Sequence, residues 1–175
     1  MKNEFIDEVN KITNDKLRKA CINMVDDIHD YFWNVPASSS GKYHPQCDLG
    51  DGGLVRHSIM VCHVGLDLLN AEIFVRDTNK NKNKVRIACL FHDILKQGTN
   101  EGHGHTVFEH PIYATNFIRK HLSNVLDDKS LNDICNAVSS HMGKWNTSKY
   151  SRMTLPTPKT NFEKLILTAH YNASR

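Results

Sequence analysis

Apolar residues recur at intervals of three and four along most of the chain, the repeat that gathers them on one face of an α-helix. Phe5, Ile6, Val9 and Ile12 form a first stripe, and Leu17, Cys21, Met24, Val25 and Ile28 a second. Asn14 or Thr13 stands where a cap for the second helix belongs, and Pro36 stops this region near Asn34. Residues 36–53 carry serines, glycines and Pro45 and predict a loop. The run 54–75 is apolar over a wide arc and predicts a long central helix. Lysines and asparagines over 77–84 predict a surface turn, 85–95 a further helix halted near Gly98, and 98–106 a Gly/His loop. Helices over 107–122, 131–142 and 161–173 complete the set, with an irregular connection over 145–158. Period-two alternation is not sustained anywhere, although a short hairpin around Tyr43 fits the pattern. The expected class is all-α: a helical bundle over 37–175, with an N-terminal helical segment over 1–36 packing on it as part of one globular unit.

Composition narrows the partners. With 175 residues the chain suits one hydrophobic core. A formal charge of +3 and a pI near 8.6 fit a small phosphate-bearing ligand better than a long nucleic acid. No apolar run approaches the ~20 residues needed to span a bilayer, and the first residues are polar and acidic, so a cytoplasmic protein without a membrane partner is expected. The cysteines, Cys21, Cys47, Cys62, Cys89 and Cys135, are odd in number and lack CxxC spacing. They are expected to be reduced core residues.

Histidine changes the picture, with eleven in the chain. His57 shares a stripe with Leu54, Val61 and Val64, and His92 one with Val85, Ala88 and Cys89. His110 lies in line with Val107 and Ala114, His141 with Ile134 and Val138, and His170 with Phe162 and Ile166. One inward histidine is ordinarily a core residue satisfied by a single hydrogen bond. Five on five helices each need a partner for a buried nitrogen, and a shared metal ion, or a pair, supplies several at once. Asp93 adds a carboxylate beside His92. Neighbouring helical residues point about 100° apart, so both reach one ion only from a helix end or across a cleft. Nitrogen and oxygen donors together suit manganese, iron, nickel, cobalt or zinc, one or two ions.

These residues resemble the HD-domain superfamily of metal-dependent phosphohydrolases, from about Gly41 onward. His92-Asp93-Ile94-Leu95-Lys96 looks like its HDxGK motif, with Leu95 where glycine is usual. Gly52-Gly53-Leu54-Val55-Arg56-His57 is similar to the entry helix with its first ligand, and Glu109-His110-Pro111 and Ser140-His141 to the extra histidines of the two-metal branch. The pattern resembles that of small, phage-type HD proteins, and the HD portion of bacterial 3′–5′ exoribonucleases is also similar. A phage origin would place the protein in the host cytoplasm. The resemblance implies metal ligands at His57, His92, Asp93, His110, His141 and His170, with Asp93 ligating or bridging and Lys96 contacting phosphate. One position departs from the pattern: in Ala169-His170-Tyr171-Asn172-Ala173-Ser174-Arg175, His170 stands where the family has aspartate. The lost charge would weaken metal affinity, favour imidazole-loving ions, or leave a domain that binds without turnover.

The expected reaction is hydrolysis of a phosphate ester of a nucleotide or small phosphorylated substrate by metal-activated water. Lys42, Tyr43 and His44 form a candidate substrate loop, offering a cation, a ring for stacking and an imidazole. Gly50, Gly52 and Gly53 would let backbone approach the ligand closely. Arg56 and His105 are further candidate phosphate contacts, while Trp145 is expected in the core. The alternatives are a 3′–5′ nuclease on short single-stranded nucleic acid and a degenerate HD domain that sequesters a nucleotide. The amphipathic N-terminal helices would suit a homodimer.

Overall fold

The computed structural model describes residues 1–38, 40–41, 44–99 and 102–175. Within these the chain is all-helical, without a strand. The helices are α1 (Lys2–Asn10), α2 (Asp15–Asp26), α3 (Tyr31–Asn34), α4 (Gly53–Asn70), α5 (Asn79–Phe91), α6 (His110–Leu122), α7 (Asp128–Ser139) and α8 (Asn161–Ala173), with a 3₁₀ turn over Gln46–Asp48. Tyr43, where the sequence suggested a hairpin, lies outside the described residues.

Side-chain caps set several helix starts. The Asn14 side chain accepts from the amide of Leu17, Asp127 from Ser130 and Thr160 from Glu163, each satisfying an amide the helix itself leaves free. Thr78 does the same for Asn81 and starts α5 six residues before the expected Val85. The segment 79–84 is therefore the first part of a helix and not a surface turn. Asn83 and Lys84 are buried there; the Asn83 carboxamide accepts from the Thr13 amide, and Lys84 pairs with Asp133 at 3.0 Å. Polar residues that bind specific partners had the composition of a turn. At its other end α4 stops at Asn70 rather than Val75, because Glu72 takes a left-handed φ of 53°.

α4 runs through the middle, packed on α5 and α8, with α7 against α5, α6 and α8. Leu54, Val61, Leu69, Ile87, Leu90, Ile118, Ile134 and Ile166 are fully buried between them. Gly65 is what lets α4 and α5 close up: a Cβ there would stand 3.0 Å from both Cys89 Sγ and Val85 Cγ1. The first helices join this core through Phe5, whose ring meets Phe32, Trp33 and Phe91 edge-on at 5.5–5.6 Å. Buried Glu8 ties α1 to α4 and α5 through His63 (2.9 Å) and Arg86 (2.7 Å). Cys21, Cys62, Cys89 and Cys135 are buried free thiols, whereas Cys47 is exposed on the loop before α4, so only four of the five are core residues. No helix among the described residues is long and apolar enough to cross a membrane.

Candidate metal centre

The bundle brings its histidines together at helix ends. His57 lies in the first turns of α4, His110 opens α6, and His170 is in the last turn of α8. His92 and Asp93 follow the end of α5, and His141 follows α7. The expected helices over 85–95 and 131–142 thus end earlier than their apolar pattern, at Phe91 and Ser139. His92 keeps helical dihedrals (φ −62°, ψ −36°), so adjacent His92 and Asp93 reach the cluster from a helix end.

Three of the rings are aimed by the same local device. The Nδ1–H of His92 donates to the carbonyl of Cys89, that of His110 to Val107 and that of His141 to Val138, each at 2.7 Å. A carbonyl can only accept, so Nδ1 carries the proton and Nε2 is left with a free lone pair. This is the outer hydrogen bond that orients metal-binding histidines.

All of these Nε2 atoms converge on Asp93, which is fully buried. Its Oδ2 lies 3.3 Å from His92 Nε2 and 3.9 Å from His57 Nε2. Its Oδ1 lies 3.0 Å from His110 Nε2 and 3.5 Å from His141 Nε2. The His170 ring stands 4.8–5.4 Å, centroid to centroid, from those of His141, His92 and His57. Donor atoms of His57, His92, Asp93 and His170 fall within 4.8 Å of one another, and so do those of Asp93, His110 and His141. The two sets share only Asp93, one on each side of its carboxylate.

The electrostatics match a set of ligands. Burial holds the His57 and His170 imidazoles far below their ordinary pKa, with the neighbouring Lys96 adding to the effect at His57 and His141 at His170. His141 is lowered to about 4, chiefly by burial. Burial alone would raise the Asp93 carboxyl, but His92, Lys96 and His110 together hold it well below the carboxylate range. His57, His141 and His170 are therefore held as neutral imidazoles near one carboxylate, the protonation states a metal requires. His57 Nε2, His92 Nε2 and Asp93 Oδ1 are buried without a hydrogen-bond partner. Orphans of this kind are costly, and a divalent ion satisfies them together. The donor set fits a transition metal.

The other candidate residues divide. Lys96 Nζ reaches Asp93 Oδ2 at 2.6 Å, and both Lys96 and His44 line a cleft of about 440 Å³ that opens over the cluster beside His110 and His170. Burial, reinforced by Lys96, lowers His44 to about 3. Lys42 and Tyr43 lie outside the described residues. Arg56 is committed elsewhere. Its guanidinium donates to the carbonyls of Cys47, Asp51 and Leu49 at 2.6–3.0 Å and clamps the loop before α4, which engages three of its five N–H groups. His105 is exposed and does not line the cleft. Trp145, expected in the core, is 45% exposed at the cleft mouth.

Asp48 escaped the sequence reading. It is 2% exposed, and its Oδ2 lies 3.4 Å from His57 Nδ1, both atoms lacking a hydrogen-bond partner. It is seated by Gly53, where a Cβ would stand 1.9 Å from the Asp48 carbonyl. Gly53 thus admits protein backbone, whereas a Cβ at Gly50 would meet nothing within 4 Å and one at Gly52 would meet the Met1 side chain. The available signal was the Asp48-to-Gly53 stretch just ahead of a candidate ligand, a carboxylate followed by the freedom to fold it back.

The HD-domain family model matches residues 54–169, most of the chain, from the helix bearing His57 into α8, ending one residue before His170. The chain belongs to the HD-domain family. HD domains are generally metal-dependent phosphohydrolases, and in this one the His/Asp cluster could hold such a metal. No curated protein and no solved structure matches the chain.

Proposed function

We propose that this HD domain hydrolyses a phosphate ester of a nucleotide or another small phosphorylated substrate, using two divalent ions that share Asp93. The observation that carries the proposal is the split carboxylate: Oδ2 faces His57 and His92 while Oδ1 faces His110 and His141, over an open cleft. Ions held there would acidify water and neutralise charge developing on phosphoryl oxygens. The chain supplies the rest. Lys96, at the cleft floor, is placed to hold a phosphoryl oxygen. His44, kept neutral by burial, offers an acceptor at the cleft wall. The buried rings of His57, His92 and His141 keep bulk water from the shared carboxylate.

A second reading rests on His170. An imidazole in the last turn of α8, where the family pattern has a carboxylate, leaves Asp93 as the one carboxylate shared by the two ligand sets. Such a domain would bind a nucleotide without turning it over.

Purified protein incubated with manganese, zinc, nickel or iron against nucleoside mono- and triphosphates, cyclic nucleotides and a short RNA separates these readings. Metal-dependent product, lost in a His92→Ala/Asp93→Ala double variant, is the expected outcome. Bound metal and bound nucleotide without product would replace the hydrolase with the binding protein. Turnover of RNA alone would make it a nuclease.

A further inference from the structure

The cleft has a second side that the ligand cluster does not use. Tyr171 follows His170 on α8, and a rotation of about 100° per residue separates the two side chains. His170 packs among the cluster rings, while Tyr171 lines the cleft and is 41% exposed. Trp145 arrives from the neighbouring segment, past His141 and the tight turn at Gly143, whose φ is 57°. The two rings lie nearly parallel, 16° apart in plane with centroids 6.0 Å apart. Lys144 Nζ sits 4.8 Å from the Trp145 ring and the Arg175 guanidinium 4.6 Å from that of Tyr171. Each ring thus has a cation against it and half its surface open.

Core packing does not explain this wall. Phe5, Phe32 and Phe91 are fully buried in the bundle, as the loss of apolar area to water favours. Trp145 and Tyr171 forgo that burial beside a cleft whose size, about 440 Å³, falls in the ~300–1,000 Å³ range of small-molecule sites. The guanidinium over Tyr171 shows that the ring accepts a flat, delocalised group on its face. A nucleobase has that shape, and stacking on such rings is worth roughly 1–3 kcal/mol with little regard to which base it is.

Resting on the phosphohydrolase reading above, we propose that Trp145 and Tyr171 form a base-stacking wall, so that the substrate is a nucleoside phosphate with its phosphate over Lys96 and the cluster and its base against these rings. Selectivity then lies in the presence of a base, not in its identity. Sugar phosphates are poor ligands, and adenine and uracil nucleotides differ modestly, through stacking strength.

Binding can be read apart from turnover. In a Trp33→Phe background, Trp145 is the one tryptophan left, and its fluorescence reports on the wall directly. The full-length, manganese-loaded protein is titrated with adenosine 5′-monophosphate and with ribose 5-phosphate, which carries the same phosphate without the base. The nucleotide is expected to quench Trp145 and to bind about tenfold tighter or better than the sugar phosphate. By calorimetry, Trp145→Ala and Tyr171→Ala should each cost the nucleotide about tenfold in affinity, leave ribose 5-phosphate unaffected, and be rescued largely by Trp145→Phe. Equal affinity for the two ligands, equal losses for both in the variants, or no nucleotide binding at all would overturn the inference. A protein that hydrolyses no ester yet loses nucleotide binding in Trp145→Ala would retain the wall and sink only the hydrolase reading.

Discussion

Lys96 Nζ lies 2.6 Å from Asp93 Oδ2, within the set of atoms that would hold the metal. The lysine is nearly buried and neutralises the carboxylate on which both ligand sets depend. A cation at that oxygen competes with a divalent ion for the same charge. It follows that metal binding and lysine release are linked, and that the freed ammonium group is then available to phosphate in the cleft.

Lys96→Ala should therefore separate binding of metal from use of it. Manganese affinity is expected to rise several-fold, because a like charge is gone, while turnover of the best phosphate ester falls on the order of a hundredfold. Calorimetric metal titration beside steady-state kinetics measures both. A parallel fall in metal affinity would show that Lys96 supports the site instead of competing for it.

Asp48→Asn tests the carboxylate behind His57. Placed 3.4 Å from Nδ1, Asp48 is positioned to accept that proton once Nε2 binds metal, strengthening the imidazole as a donor. Loss of such outer partners typically lowers metal affinity about 10- to 100-fold. The expected result is a drop of that size with unchanged circular dichroism. Unchanged affinity would reduce Asp48 to a loop-packing residue.

Tyr31 connects the N-terminal helices to the metal turn. Its hydroxyl contacts the carbonyls of Ile94 (3.3 Å) and Gly98 (2.9 Å) and accepts from the amide of Gln97 (3.3 Å). Tyr31→Phe should cost about 1–2 kcal/mol and speed hydrogen exchange at the Gln97 amide by roughly tenfold or more. Exchange that stays at the wild-type rate would mean that the turn is held by the cluster alone.

Glu8 predicts an acid-sensitive anchor for α1. Burial pushes its carboxyl up, but hydrogen bonds and charge from His63 and Lys11 outweigh burial and hold it at about 2, against the usual 4.5. The unfolded chain then takes up the proton first. Stability from this group is full above about pH 4.5 and is lost as pH falls toward 2. Urea unfolding across that window should show a steeper loss in the wild type than in Glu8→Gln. Identical slopes would remove Glu8 as the cause.

Much of this was written in the chain. The three-and-four spacing of Leu54, His57, Val61 and Val64, and of Phe162, Leu165, Ile166 and Ala169, marks helices whatever they pack against, and five histidines in register with such stripes had to meet near the core. Two things were hidden. Helix ends at Phe91 and Ser139 were masked because Ile94, Leu95 and Met142 continue the apolar rhythm past the last helical turn. Asp48 and Trp145 lie in loops, which carry no periodicity, and Arg56, though on α4, takes its partners from the loop before it. Thus Arg56, beside a ligand in sequence, serves the loop, and Trp145, apolar enough for a core, stands in the open.

The backbone bonds to His92, His110 and His141 divide the work of making the centre. Each ring takes its aim from a carbonyl three residues earlier, so direction is encoded in stretches of four residues. Distance is encoded elsewhere, by how closely α5, α6 and α7 pack. A substitution deep in the bundle would therefore change the range between donors while leaving each pointed at its target. The choice of metal could drift by such changes in range without the ligands themselves being altered.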